Sequence, residues 1–426
     1  MTEQMNVPKL RFGDFEGEWS AEKLGAYSKH ITYGLTVRPK FVEDGIPLIS
    51  AREITSGEVK YSKAPQISLS EFNNLSDKAK PLAGDLFLSK TGTIGFSAQN
   101  TTSQPIAITQ NIAVIRIDDA DALSPNYVLH YFKTKKFYRS AISKVNQSTI
   151  MDLQLGDIKR LPIPIPPNFL EQQKIASFLS KVDEKIALLT EKKDKLTEYK
   201  KGVMQQLFNG SFQEQDGQLT FIPPTLRFKA DDGSEFPDWE EKTLGDVLIK
   251  YRLGGNYQNS EVRTRFPLIK MGNLGRGNIN LNKVEYIPEG EVIDPQDRIQ
   301  EGDLFFNTRN TLELVGKVAI WKCELSEAYY NSNLMRLEFD NNYFMNYCLN
   351  SFNGVRGLRR FATGTTSVAA IYTRDLLKLK LCIPTLEEQT KIADFLSVVD
   401  QKIDLTSSEL EKAKEWKRGL LQQMFV

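Results

Sequence analysis

Three cysteines, two histidines and one glycine cluster are the first residues to test for chemistry. Cys323, Cys348 and Cys382 are far apart, with no CxxC and no His at ligand spacing, which argues against a structural zinc site and against a disulfide framework. His30 and His130 are isolated, and no HExxH, GxSxG or Cys/His pair is present to make either one a general base. Gly272, Gly275 and Gly277 read GxxGxG, the reverse of the dinucleotide order, and no GxxxxGK(S/T) phosphate loop occurs. A methyltransferase that flips adenine needs an Asn/Asp-Pro-Pro-aromatic loop. Here the Pro-Pro pairs are Pro166-Pro167, followed by Asn168, and Pro223-Pro224, followed by Thr225. The chain is therefore expected to hold no catalytic residue, no metal and no cofactor.

Binding chemistry is better represented. Residues 131–160 carry Lys133, Lys135, Lys136, Arg139, Lys144, Lys159 and Arg160 against Asp152 and Asp157, a net +5. Residues 351–380 carry Arg356, Arg359, Arg360, Arg374, Lys378 and Lys380 against Asp375, again +5. Among these charges lie Asn146-Gln147-Ser148-Thr149 and Thr363-Gly364-Thr365-Thr366-Ser367, whose side chains suit phosphates and base edges. A second pair of loops, 89–93 with Lys90 and Thr91 and 307–311 with Arg309 and Asn310, sets one basic residue among small hydrogen-bonding ones. Arg and Lys read guanine and Asn reads adenine, so differing loops in equivalent places suit two different short sequences. The bland alternatives are a solvated basic surface and ordinary turns.

These candidates sit in a chain of 426 residues with 55 Lys+Arg against 54 Asp+Glu, 40% apolar and 10% aromatic residues. The length allows two to four domains with real cores. At net +1 any affinity for nucleic acid must come from local basic faces. No signal-peptide pattern opens the chain and no window approaches 18 uninterrupted apolar residues, so a soluble cytoplasmic protein is expected.

Laid on itself, the chain repeats once. Leu10-Arg11-Phe12 recurs as Leu226-Arg227-Phe228, Trp19 as Trp239, Pro47-Leu48-Ile49 as Pro267-Leu268-Ile269, and Gly84-Asp85-Leu86-Phe87 as Gly302-Asp303-Leu304-Phe305. Each half closes with a tail that matches without a gap, from Glu171-Gln172 against Glu388-Gln389 to Gln205-Gln206-Leu207-Phe208 against Gln422-Gln423-Met424-Phe425.

The first tail places Ile175, Leu179, Val182, Ile186, Leu189, Lys193, Leu196, Lys200, Val203 and Leu207 at alternating steps of 4 and 3. The second places Ile392, Leu396, Val399, Ile403, Thr406, Leu410, Ala413, Lys417, Leu420 and Met424 on the same steps. These stripes predict two helices of about 37 residues, roughly 55 Å long, whose natural partners are each other. Prolines 162, 164, 166, 167 and 384 lead into them, and Gly210 closes the first. Lys193, Lys200, Thr406, Ala413 and Lys417 interrupt or weaken the stripe, either setting its register or snorkelling at its edge. A linker from Phe208 to about Thr220 reaches only ~40–45 Å, which favours antiparallel pairing without forcing it. The bodies read as mixed α/β, with strands near 46–51, 86–89, 113–117, 267–271, 304–307 and 335–339 and helices near 126–144 and 342–361.

Taken together, the two-body, two-tail repeat, the Gly-Asp-Leu-Phe strand-loop pairs at Gly84 and Gly302, the Glu-Gln-x-Lys-Ile-Ala-x-Phe-Leu tails at Glu171 and Glu388, and the terminal Gln-Gln-(Leu/Met)-Phe make the whole chain resemble the specificity subunit of a type I restriction-modification system. The resemblance implies a mixed α+β protein with two pseudo-repeated target-recognition domains, joined by two long helices in an antiparallel coiled coil. Its parts would be residues 1–167, 168–210, 211–384 and 385–426. It implies a non-catalytic reader of a bipartite sequence in double-stranded DNA. Two modification subunits would methylate adenine with S-adenosylmethionine, and restriction subunits would add ATP- and magnesium-dependent cleavage. Two readers on one face of B-DNA sit about one turn, ~34–36 Å, apart.

On this reading Lys90, Thr91, Asn146, Gln147 and Ser148 read one half-site, and Arg309, Asn310, Thr363, Thr365 and Thr366 the other. Lys133, Lys136, Arg139, Lys144, Arg356, Arg359 and Arg360 hold phosphates. The competing reading is a coiled-coil scaffold for proteins without affinity for DNA.

Overall fold

The Gly-Asp-Leu-Phe repeat builds the centre of each body. Gly84 and Gly302 adopt φ +91° and +82°, which glycine tolerates best. The following carboxylate then closes the turn: Asp85 accepts from Leu82 N (2.8 Å) and pairs with Arg116 (2.7 Å), while Asp303 accepts from Gln300 N (2.8 Å) and pairs with Arg336 (3.1 Å). Leu-Phe then starts a strand buried on both faces, Leu86–Ser89 in one copy and Leu304–Asn307 in the other.

This computed structural model describes residues 6–145, 151–215 and 218–426. The chain forms two compact units, residues 1–191 with 407–426, and residues 192–406. In the first, Leu86–Ser89 lies in an antiparallel sheet of four strands ordered His30–Tyr33, Ile112–Arg116, Leu86–Ser89 and Ser97–Gln99. In the second, the order is Lys250–Leu253, Leu334–Glu338, Leu304–Asn307 and Val318–Ile320. The period of two along each strand divides the core. Leu86, Leu88, Ala113 and Ile115 face the helices, whereas Phe87, Ile112 and Val114 pack with Ile49 and Ile54 on the opposite side.

Where the sequence predicts one helix, near 126–144 and again near 342–361, each body has two. Pro125–Phe132 and Lys135–Ile142 are separated at Thr134, and Asn342–Asn350 and Phe352–Arg360 at Ser351. The physical reason is a fresh N-cap: Thr134 Oγ1 accepts from Phe137 N and Ser351 Oγ from Gly354 N, both at 3.1 Å. The expected linker after the first tail also differs. Ser211–Gln215 and Gln218–Ile222 pair antiparallel, Ser211 opposite Ile222, so the backbone groups of the connection satisfy one another.

Both long helices form, Phe169–Phe208 and Leu386–Gln423. In the first unit the start of one lies against the end of the other: Lys417 reaches Asp183, and Phe178 meets Trp416 edge-on at 5.9 Å. In the second unit the end of the first helix lies against the start of the second, with Lys200 on Asp400 at 2.5 Å. Both contacts require the antiparallel direction expected from the sequence. Lys200 and Lys417, two of the lysines that interrupt the stripe, thus pair across the seam. Thr406 is buried instead and turns its hydroxyl back onto Lys402 O (2.7 Å).

Of the stripe, Ile175, Leu179, Val182, Val203 and Leu207 are buried, as are Ile392, Leu396, Val399, Leu410, Leu420 and Met424. Ile186, Leu189, Leu196 and Ile403 are half-buried. The ends are better covered because they also enter the bodies. Phe425 packs on Trp19 and Tyr127 of the first body, and Phe208 on Trp239 and Phe344 of the second. Each body's core is thus closed by the helix tail of the other copy.

At the helix starts the repeat is equally close. Arg11 binds Glu171 and Arg227 binds Glu388, both carboxylates having no exposed surface, and Phe12 meets Phe178 as Phe228 meets Phe395.

Candidate nucleic-acid interface

The second body draws its sequence-predicted base readers into one small sheet. Arg309–Asn310 pairs with Ala369–Ala370, which pairs on its other edge with Thr363–Gly364. Ala370 stands opposite both Arg309 and Thr363, and Ala369 opposite both Asn310 and Gly364. Bonds from Leu312 N to Thr366 O (3.1 Å) and from Ile371 N to Thr308 O (3.0 Å) extend the union. Gly364 has φ +132°, and a Cβ there would lie 2.3 Å from Val368 O, so only glycine fits this tight turn. Thr365 then accepts from Val368 N, closing a hairpin that holds Thr363, Thr365 and Thr366 out in solvent.

Arg309 is also exposed, and among the described residues no carboxylate pairs with it. Asn310 is half-buried and its Oδ1 accepts from Thr311 N at 2.8 Å. Val368 and Tyr372 are exposed beside this sheet and were not singled out in the sequence, where neither differs from an ordinary loop residue. A guanidinium, an amide, three hydroxyls and an exposed ring therefore stand on or next to one short sheet. These groups suit hydrogen bonding to base edges and stacking or packing on nucleotides.

The first body uses the same backbone plan with different side chains. Leu153 N donates to Lys90 O (2.8 Å) and Gly92 N to Met151 O (2.9 Å), joining the loop after Leu86–Ser89 to the segment 151–153. Lys90 is buried and gives its charge to Asp152 at 2.6 Å, and Thr91 Oγ1 donates to the same oxygen at 2.5 Å. Burial alone would raise the Asp152 carboxyl, but the bonds from Lys90 and Thr91 outweigh it and hold it below the usual carboxylate range. Lys90 and Thr91 thus brace the loop in this structure. Asn146, Gln147 and Ser148 lie outside the described residues.

The phosphate candidates separate into two groups. Lys133 turns inward, 3.8 Å from Asp183, and its pKa is lowered by burial and by the neighbouring Lys417. Lys144 is half-buried. Lys136 and Arg139 are exposed and, with Lys135, Leu421 and Phe425, line an open groove of about 450 Å³. Arg356, Arg359 and Arg360 project from the Phe352–Arg360 helix into solvent, opposite the buried Gly354 and Leu358. Arg276 is exposed, and its pKa is lowered by desolvation first and then by the charge of Arg359.

His130 Nε2 lies 3.2 Å from Ser180 Oγ, and burial, with Lys133 next, pushes the imidazole pKa down to about 4, so it is neutral at pH 7. Among the described residues no group of three or more His, Cys, Asp or Glu is placed to hold a metal ion.

Comparison with known proteins bears on both bodies at once. A family model described as the type I restriction modification DNA specificity domain matches residues 41–198 and again 237–415. The chain belongs to that family. Its two matched segments contain both copies of the Gly-Asp-Leu-Phe strand, the loop after it and the basic helices described above.

Family relatives agree along the chain. A type I restriction enzyme MjaVIII specificity subunit of Methanocaldococcus jannaschii is 24% identical over 96% of this chain and 92% of its own. A putative MjaX specificity subunit from the same organism is 28% identical, over 47% of this chain and 48% of that one, so this match spans about half of that relative. The crystal structure of a type I restriction-modification S subunit from M. genitalium superposes with a TM-score of 0.62 at 16% identity, covering 99% of both chains, which establishes the shared fold. Among the described residues no helix is long and apolar enough to cross a membrane.

Proposed function

We propose that this chain, a non-catalytic specificity subunit of the type I restriction-modification class, reads a split DNA target with its two bodies, each recognising one short block. The observation that carries the reading is the duplicated platform. In each copy the loop after the Gly-Asp-Leu-Phe strand is zipped to the segment that follows the basic helices, yet the side chains presented differ. One plan with two sets of side chains suits two different sequences. Arg309, Asn310, Thr363, Thr365 and Thr366 are assigned to one block. The exposed Lys136, Arg139, Arg356, Arg359 and Arg360 are assigned to the backbone.

Modification subunits, two per chain in keeping with the internal repeat, then methylate adenine. Restriction subunits cleave, and S-adenosylmethionine, ATP and magnesium belong to those partners. The test is co-expression with the modification subunit of the same system in a methylation-deficient host, followed by genome-wide mapping of N6-methyladenine. Two short fixed blocks around an unspecific gap of constant length are the expected result. An uninterrupted motif overturns the two-reader assignment, and a stable complex with no affinity for DNA favours a protein scaffold.

A further inference from the structure

In the first body Lys90 and Thr91 give their polar atoms to one carboxylate oxygen, Asp152 Oδ1, at 2.6 and 2.5 Å. The side chain that stands over this brace in solvent is Tyr33. Its ring centre lies 5.9 Å from Lys90 Nζ, although Tyr33 belongs to a strand two places away in the same sheet.

Tyr33 ends the edge strand His30–Tyr33 and stands opposite Ala113 in the ladder. The chain just after it is clamped: Leu35 N donates to Ile108 O and Gln110 N to Leu35 O, both at 2.8 Å. A Cβ on Gly34 would lie 1.9 Å from Ile108 O, so only glycine lets the two backbones meet there. The ring therefore rises from a fixed backbone, 42% exposed, with the Lys90 ammonium drawn to it by the charge distribution of the aromatic face.

The loop that follows mixes rings with cations. Residues 33–41 read Tyr-Gly-Leu-Thr-Val-Arg-Pro-Lys-Phe, with two cations and no acid. Arg38 and Lys40 are exposed, and among the described residues neither meets a carboxylate. The Arg38 guanidinium lies 5.6 Å from the Phe41 ring, which is exposed as well. Cations among exposed rings attract phosphates and offer faces to bases. In the second body Leu253 holds the place of Tyr33, at the end of the matching edge strand and opposite Met335, and it too is exposed. One position is thus open in both bodies and filled by different side chains.

We propose that Tyr33 is a specificity-determining residue of the first body, its ring packing against one base pair of a half-site while Arg38 and Lys40 hold the backbone beside it. The assignment rests on the DNA-reading function proposed above and supplies a reader for the body in which Lys90 and Thr91 act as braces. A tyrosine on a fixed strand gives large contact area with little freedom to lose, and an apolar contact to a base edge distinguishes one pair from another.

The test is the methylation map of the complex with the modification subunit of the same system, recorded for wild type, Tyr33→Leu and Tyr33→Phe. Leucine is what the second body carries at this place, so an edge strand of this sheet accommodates it. Tyr33→Leu is expected to lower discrimination at one position of one block by about 5- to 150-fold and to leave the other block intact. Tyr33→Phe keeps the ring and is expected to keep the wild-type motif. A wild-type motif in Tyr33→Leu overturns the assignment. So does relaxation of both blocks, or of every position in one, which marks a damaged platform rather than a reader. Equal relaxation in Tyr33→Phe overturns it too, because the ring is then not the group that reads. If the wild-type chain directs methylation to no split motif, the DNA-reading function itself fails and the reader with it.

Discussion

Arg11 forks Glu171, its Nε and Nη2 donating to the two carboxylate oxygens at 2.7 and 2.8 Å, and its Nη1 donating to Gly17 O at 2.7 Å. The hydrogen bond with Glu171 also raises the Arg11 pKa. The pair ties the segment before the first body to the start of the first long helix, as Arg227 and Glu388 do in the second copy. Glu171→Ala leaves a mostly buried guanidinium without its counter-charge, so a loss of about 3 kcal/mol is expected in urea unfolding. A loss below about 1 kcal/mol would show that the pair is only decorative.

Lys200 and Asp400 form the cross-helix pair of the second unit, and Tyr347 donates to Asp400 from the body (2.8 Å). Both side chains of the ion pair retain some exposure, 24% and 14%, so a double-mutant cycle is expected to return a coupling of about 1 kcal/mol. The swapped pair Lys200→Asp with Asp400→Lys should recover part of what either single change loses. Additive losses would instead assign both residues to solvent.

Arg309 lies on the small sheet of one body only. Arg309→Ala is expected to relax the methylated motif in one block, by about 1–3 kcal/mol of discrimination at a single base, and to leave the other block intact. The methylation map reads both blocks in the same experiment. Equal relaxation of the two would remove Arg309 from base recognition.

His130 makes folding sensitive to acid. Its folded pKa of about 4 lies below the ordinary value of 6.5, owing first to burial and then to Lys133. Between those two values the unfolded chain takes up a proton that the folded one refuses. The contribution is therefore complete above about pH 6.5 and is lost as pH falls toward 4. Between pH 7 and pH 5 it amounts to about 2 kcal/mol, and His130→Gln should lose correspondingly less stability over that range. Parallel denaturation curves for the two proteins at both pH values would contradict this.

Elements that depend on repetition or on helical period were legible in the sequence. The seam from Ile175 to Leu207 follows from steps of 3 and 4 alone, and the Gly84 and Gly302 turns stand out because they occur twice. The fate of Lys90 was not legible. Its partner Asp152 lies 62 residues away, and nothing near Lys90 distinguishes a buried brace from an exposed reader. Lys133 behaves likewise, because Asp183 reaches it from the long helix. The helix breaks at Thr134 and Ser351 were within reach, since each is a hydroxyl residue that caps the helix restarting after it.

The middle strand Ala369–Ala370 is shared, with Arg309–Asn310 on one edge and Thr363–Gly364 on the other. Neither outer segment keeps its geometry if the other is replaced by a loop of different length, because both hang on the same two alanines. A change to this small sheet is therefore inherited as a cassette: a graft that carries residues 308–312 together with 363–371 is expected to keep its frame, whereas either segment moved alone arrives without it.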